Sequence, residues 1–138
     1  MKFFLIISVC HIFIFCLSTL AQAIDSKHVN IWSDGTRMSG DIHYPSNYNK
    51  DKKLPAILMT QGWGGIRADL NKYFVPIFVE AGFIVLTFDY RGWEDSDSRL
   101  VIIGKQPSLD KNNETVVNVR AIRELIDPID QTRDIINA

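Results

Sequence analysis

Three glycines crowd one short stretch of this sequence, Gln61-Gly62-Trp63-Gly64-Gly65, directly after an apolar run at residues 56–60. Glycine permits backbone conformations and close approaches that a Cβ forbids. Such a turn at a strand end can present a backbone N–H to a reacting carbonyl. In acyl transfer that N–H stabilises the oxyanion of the tetrahedral intermediate. A plain strand-to-helix turn with no ligand would use the same residues. A second polar cluster, Asp89-Tyr90-Arg91-Gly92-Trp93-Glu94-Asp95-Ser96, follows another apolar run at 83–88. Ser96 and, two residues on, Ser98 have no histidine after them, and a serine without a base is only a hydroxyl. His28 and His43 read as ordinary strand residues. Glu94, Asp95 and Asp97 read as a solvated acidic loop. No H-E-x-x-H or Cys/His ligand cluster is present, so no metal is expected.

The elements that must position these groups follow from periodicity. Residues 28–32 alternate polar and apolar, and residues 38–44 do so again, with Met38, Gly40, Ile42 and Tyr44 on one side. With Ser33-Asp34-Gly35 between them they predict a β-hairpin whose turn is somewhat longer than two residues. At 56–60 the alternation vanishes, as in a parallel strand covered on both faces. Phe74, Ile77, Phe78 and Ala81 lie at helical spacing, and Gly82 fits the position past a helix C-terminus. Pro76 means that this helix kinks or starts near Val75. With the strand at 83–88 this makes a βαβ unit, which sets the two strands parallel. Both glycine-turn and polar cluster then lie at the carboxyl edge of the sheet, where open α/β sheets bind ligands.

Beyond this point the pattern is thinner. Residues 99–103 read as a short strand and 106–114 as a polar loop. Residues 115–126 fit helix and strand equally. Asp127-Pro128-Ile129-Asp130 is an N-cap followed by proline at the first helical position, so a helix starts at Pro128. It reaches Ala138 without a terminating signal, which reads as a truncation. Asn113-Glu114-Thr115 is a short match to a glycosylation sequon.

Gln61-Gly62-Trp63-Gly64-Gly65 resembles the His-Gly-x-Gly-Gly oxyanion turn of α/β-hydrolases, and residues 89–96 resemble their D-x-R-G-x-G-x-S segment after the fourth strand. The chain is similar to dienelactone-hydrolase-like and Xaa-Pro dipeptidyl-peptidase-like enzymes over residues 28–138. The resemblance implies an α/β fold: the amino-terminal part of an α/β-hydrolase, an antiparallel hairpin followed by a parallel βαβ unit. It further implies that the Trp63 backbone N–H helps form an oxyanion hole, that Gly62 permits that geometry, and that Arg91 and Asp95 tie the later loop. Gln61 stands where the family has histidine. Glu94 stands where it has a second glycine, a departure that bears on the loop's conformation. The triad order of the fold is Ser, Asp or Glu, then His, and all three are expected beyond residue 138.

Residues 1–23 read as a signal peptide rather than as part of the domain at 24–138. Lys2 precedes an almost wholly apolar stretch, and Ala21-Gln22-Ala23 is a small-x-small processing site. An uncleaved membrane anchor is the alternative. Cys10 and Cys16 both lie in this leader, so residues 24–138 can form no disulfide and hold no thiol nucleophile. A net charge of −1 without a basic run gives no footprint for nucleic acid. The expectation is an exported serine hydrolase of a small-molecule ester or peptide, without cofactor, inactive as residues 24–138 alone. The competing expectation is a non-catalytic extracytoplasmic binding module built from the front half of a hydrolase.

Overall fold

The structure, a computed structural model, describes residues 23–138. Except for Ala23, the expected leader therefore lies outside the described residues. Among the described residues no helix is long and apolar enough to cross a membrane.

Strands β1 (Ile24–Ser33) and β2 (Thr36–Pro45) form the antiparallel hairpin. Its turn is shorter than the sequence suggested. Ser33 pairs with Thr36, leaving only Asp34 and Gly35 in the loop. Both have positive φ, at 47° and 76°. Aspartate followed by glycine can hold two left-handed residues in succession, the turn whose twist matches the flanking strands.

Strand β3 (Ala56–Met59) pairs in parallel with β4 (Ile84–Phe88), and β4 pairs antiparallel with β2. The sheet order is β1-β2-β4-β3. The crossover holds two short helices rather than one: α1 (Arg67–Tyr73) and α2 (Val75–Glu80), with Pro76 in the first turn of α2. The proline is tolerated there because its missing N–H would have no intrahelical acceptor. Gly82, at φ 90°, closes α2: its N–H donates to Val79 O and that of Phe83 to Phe78 O. The Phe78 and Phe83 rings then meet edge to face, 6.4 Å apart, which completes a Schellman cap with its apolar contact.

Two small cores flank the sheet. Val75 and Val79 of α2 pack on Val85, with Ile24, Met59 and Phe83 around them. On the other face Met38, Phe88 and Tyr90 cluster with Ile31 and Trp93. The expectation that β3 is covered on both faces does not hold among the described residues. Ala56 is exposed and Leu58 is 39% exposed. Helix α2 packs against Met59 on one face, while Ala56 and Leu58 stay exposed on the other.

Strand β5 (Arg99–Ile102) confirms the short strand, and the ambiguous stretch yields β6 (Val119–Ile122), antiparallel to β5 in a separate ribbon. Helix α3 (Pro128–Asn137) starts where expected. Asp127 Oδ1 accepts from the Ile129 and Asp130 amides at 3.0 and 3.3 Å.

Candidate active-site edge

Strands β3 and β4 end on the same side of the sheet, as their parallel register requires. The hairpin turn Asp34-Gly35 lies there too, since β1 runs opposite to β2 and so with β4. This edge gathers the glycine turn, the 89–98 loop and the β5–β6 ribbon. A groove of about 730 Å³ runs between the hairpin tip, the loop and the ribbon, lined by Gly35, Thr36, Glu94, Ser98, Leu100 and Arg123 among others.

In the glycine turn the left-handed residue is Gly64, at φ 68°. Gly62 has no positive φ, and a Cβ built on it would meet nothing within 4 Å. Its closing bond runs from the Gly65 N–H to Gly62 O at 3.3 Å. The Trp63 amide enters no hydrogen bond among the described residues, and its indole is 87% exposed. Gln61 is buried, and neither atom of its side-chain amide has a hydrogen-bond partner among the described residues. A Cβ at Gly65 would stand 3.0 Å from Gln61 Cβ, so Gly65 must be small for the turn to fold over this side chain.

The turn is fixed from behind by Arg67, the first residue of α1. Its backbone N–H donates to Asp89 Oδ1 at 2.8 Å. Its guanidinium reaches Asp89 Oδ2 (3.2 Å), Asp41 Oδ2 (3.2 Å) and Asp95 Oδ2 (3.0 Å). Arg67 thereby links β2, the end of β4 and the 89–98 loop to the exit of the glycine turn. Burial pushes the Asp89 carboxyl above its usual range, while the Arg67 amide and guanidinium pull it back.

The polar face of β2 is also buried, which the simple alternation did not indicate. Asn71 of α1 lies over it. Its Nδ2 donates to Asp41 Oδ2 at 3.0 Å, while its Oδ1 faces Thr87 Oγ1 (2.7 Å) and His43 Nε2 (3.0 Å). An accepting Asn71 Oδ1 fixes His43 as the Nε2–H tautomer. Burial lowers the His43 pKa. The Asn71 bond and Asp41 oppose that shift, and Arg67 adds to it. His28 meets Asp41 Oδ1 at 3.1 Å on the surface. Both histidines are thus bound within β-sheet networks, and neither shares a hydrogen bond with a serine among the described residues.

The 89–98 loop carries its own ties. Ser96 is 2% exposed; its hydroxyl donates to Asp89 O at 2.6 Å and accepts from Ser39 N at 2.9 Å. Arg91 is buried against Asp134 (2.6 Å) and Asp130 of α3 and reaches Asp34 in the hairpin turn. Asp95 holds Arg67, and Arg37 grips Asp97 through two bonds at 2.7 and 3.2 Å. Gly92, at φ 80°, lets the end of β6 approach: a Cβ there would stand 2.6 Å from Ile122 O. Glu94, in the place of the family's second glycine, keeps a positive φ of 38°. The substitution therefore leaves the backbone left-handed at that residue. Sequence reasoning reached Arg91 and Asp95. It missed Ser96, Arg67, Asn71 and Gly92 as structural ties, although Ser96 and Gly92 stand in the quoted motif.

A family match agrees with this architecture. The family model for X-Pro dipeptidyl-peptidase (S15 family) matches residues 34–115, more than half of the chain. The chain is 49% identical over 45 residues to an uncharacterized 31.7 kDa protein of Escherichia coli encoded in the traX-finO intergenic region. That match takes in 33% of this chain and 16% of the relative's length, so only a small part of that protein is represented here. Among solved structures, a hypothetical protein from Pseudomonas aeruginosa superposes with a TM-score of 0.48 at 23% identity, over 53% of this chain and 23% of the other. Acetyl xylan esterase 1 from a Thermoanaerobacterium species gives 0.41 at 21% identity, over 63% and 30%. These superpositions are too loose to add to the argument, which stands on the family match and on the strand order and connections. Antiparallel hairpin, parallel βαβ crossover and glycine turn at the carboxyl edge are the front of an α/β-hydrolase, and the chain belongs to the X-Pro dipeptidyl-peptidase (S15) family.

Proposed function

We propose that this chain supplies the oxyanion side of an exported serine hydrolase that cleaves ester or peptide bonds. One observation carries the reading. In a chain of a hydrolase family, the Trp63 amide stands at the carboxyl end of a parallel strand with no hydrogen-bond partner among the described residues. An N–H left free at that position is available to the alkoxide of a tetrahedral intermediate. Such a donor is worth about 2.7–4 kcal/mol in the transition state. The Arg67 carboxylate cluster holds the exit of the turn, so the amide is positioned before substrate arrives.

The attacking serine, its histidine and the orienting acid belong in this reading to chain beyond residue 138, in the order the fold uses. Ser96 is not a candidate, because its hydroxyl is committed to Asp89 and its oxygen to Ser39. The test is hydrolysis of p-nitrophenyl acetate and of an Xaa-Pro p-nitroanilide. Residues 24–138 alone give no serine-dependent turnover. A product extended through a G-x-S-x-G serine and a later histidine does turn over, and Trp63→Pro in that product lowers kcat by about 10²–10³. Turnover by residues 24–138 that disappears on replacing Ser96 overturns the proposal, as does an unchanged kcat in the Trp63→Pro enzyme.

A further inference from the structure

The small-x-small site Ala21-Gln22-Ala23 places its scissile bond between Ala23 and Ile24, and the fold has already used both sides of that bond. Ile24 is the first residue of β1 and pairs with Pro45. The Ala23 carbonyl continues the ladder: it accepts the Ser46 N–H at 3.0 Å and also the Ser46 hydroxyl. The Ile24 side chain packs into the core beneath α2, beside Val75, Val79 and Val85. No spacer separates the processing site from the folded domain.

Peptide-bond hydrolysis here adds water across the Ala23–Ile24 amide. The carbon–nitrogen bond breaks, Ala23 leaves with a carboxylate, and Ile24 gains an ammonium group. During attack the Ala23 carbonyl oxygen must turn into a peptidase's own oxyanion hole, and residues on both sides must lie extended and unpaired in its cleft. In the folded domain that oxygen faces Ser46, and ten consecutive residues of β1 are paired to β2. We infer that folding masks this processing site: the Ser46 clasp on Ala23 makes leader removal a step that must precede closure of the β1–β2 hairpin. Cleavage of the folded chain then tracks the small population in which the start of β1 has opened. The inference rests on the leader reading, and the test separates the two.

The experiment compares three substrates of a purified signal peptidase in detergent: the folded full chain 1–138, a synthetic peptide of residues 1–32, and the full chain with Gly-Ser-Gly-Ser inserted between Ala23 and Ile24. The peptide is cut after Ala23, the folded chain at least tenfold more slowly, and the insertion restores the rate. Ser46→Pro, which removes both donors at an exposed position, recovers part of it. A folded chain cut within twofold of the peptide overturns the masking. So does an insertion variant that stays as slow as the parent while the peptide is cut. A peptide that is not cut after Ala23 overturns the leader reading itself, and the inference falls with it.

Discussion

Replacing Ser96 by alanine separates a structural serine from a catalytic one, and its cost can be worked from the geometry. The hydroxyl is buried and bridges two backbone groups: it donates to Asp89 O at 2.6 Å and accepts from Ser39 N at 2.9 Å. Alanine removes both partners at once and brings no replacement. Each backbone group left unpaired away from water costs about 1–3 kcal/mol. The Ser39 N–H has no second acceptor in this geometry, while the Asp89 carbonyl keeps one lone pair that water can reach if the loop loosens. The sum is therefore about 2–4 kcal/mol. With a urea dependence of about 2 kcal/mol per molar, the unfolding midpoint should drop by about 1–2 M. The assay is equilibrium urea unfolding followed by tryptophan fluorescence, to which Trp93 within the loop contributes. A fluorophosphonate probe run in parallel should leave both parent and variant unlabelled over residues 24–138. A midpoint unchanged within a few tenths molar would refute the assigned tie, and parent labelling that vanishes in the variant would make Ser96 a nucleophile.

Glu94→Gly should stabilise the protein by about 0.5–1 kcal/mol, because a left-handed φ of 38° costs a residue with a Cβ and not glycine; a lower urea midpoint would contradict this. Gly92→Ala should cost about 2 kcal/mol or more, since the new Cβ meets Ile122 O at 2.6 Å and the backbone is left-handed. The strain should also release the ribbon, so the Glu124 amide, which donates to Gly92 O at 3.1 Å, exchanges faster with deuterium; unchanged protection would refute the contact. His43, whose pKa burial lowers from 6.5, stays neutral in the fold while the unfolded chain takes up a proton. Stability should therefore be full above that value and fall as pH drops through it, a slope that His43→Gln removes. Asp89 acts with the opposite sign at lower pH. Its raised pKa means that the native state binds more protons just above 3.8, so there stability falls as pH rises.

The backbone plan of the main sheet was legible because β1 to β4 carry their patterns in their own residues. Asp34-Gly35 announced a turn, the shift from alternating to continuous apolar runs announced parallel strands, and Gly82 announced the end of a helix that it does cap. One misreading and one ambiguity have physical causes. The hairpin turn was read as too long because serine is a residue type that turns favour, and only the pairing of Ser33 with Thr36 puts it in the strand. The stretch 115–126 stayed ambiguous because β6 is held by partners elsewhere in the chain, Val101 and Ile102 across the ribbon and Gly92 at its end. A strand specified by distant partners leaves little mark on its own sequence.

The site shows the same division more sharply. Glycine content marks a turn as open, and that much of Gln61-Gly62-Trp63-Gly64-Gly65 was readable. What holds such a turn in place is charge, and charge gives no sign of its address. Asp41 alternates with apolar residues in β2 and looks solvent-facing; Arg67 looks like the first polar residue of a helix; Asp95 looks like one more acid in a polar loop. They converge because β2, β4 and the crossover bring three carboxylates around one guanidinium that is about nine-tenths buried. Burial disfavours Asp89 as an anion, and its side chain is buried against an almost equally sheltered Arg67, so that pair is not a casual surface contact. Removing Arg67 would leave a buried carboxylate beside the glycine turn without its counter-charge. The cost would fall on the turn's placement as much as on stability, and that couples the oxyanion amide to residues whose role no local pattern discloses.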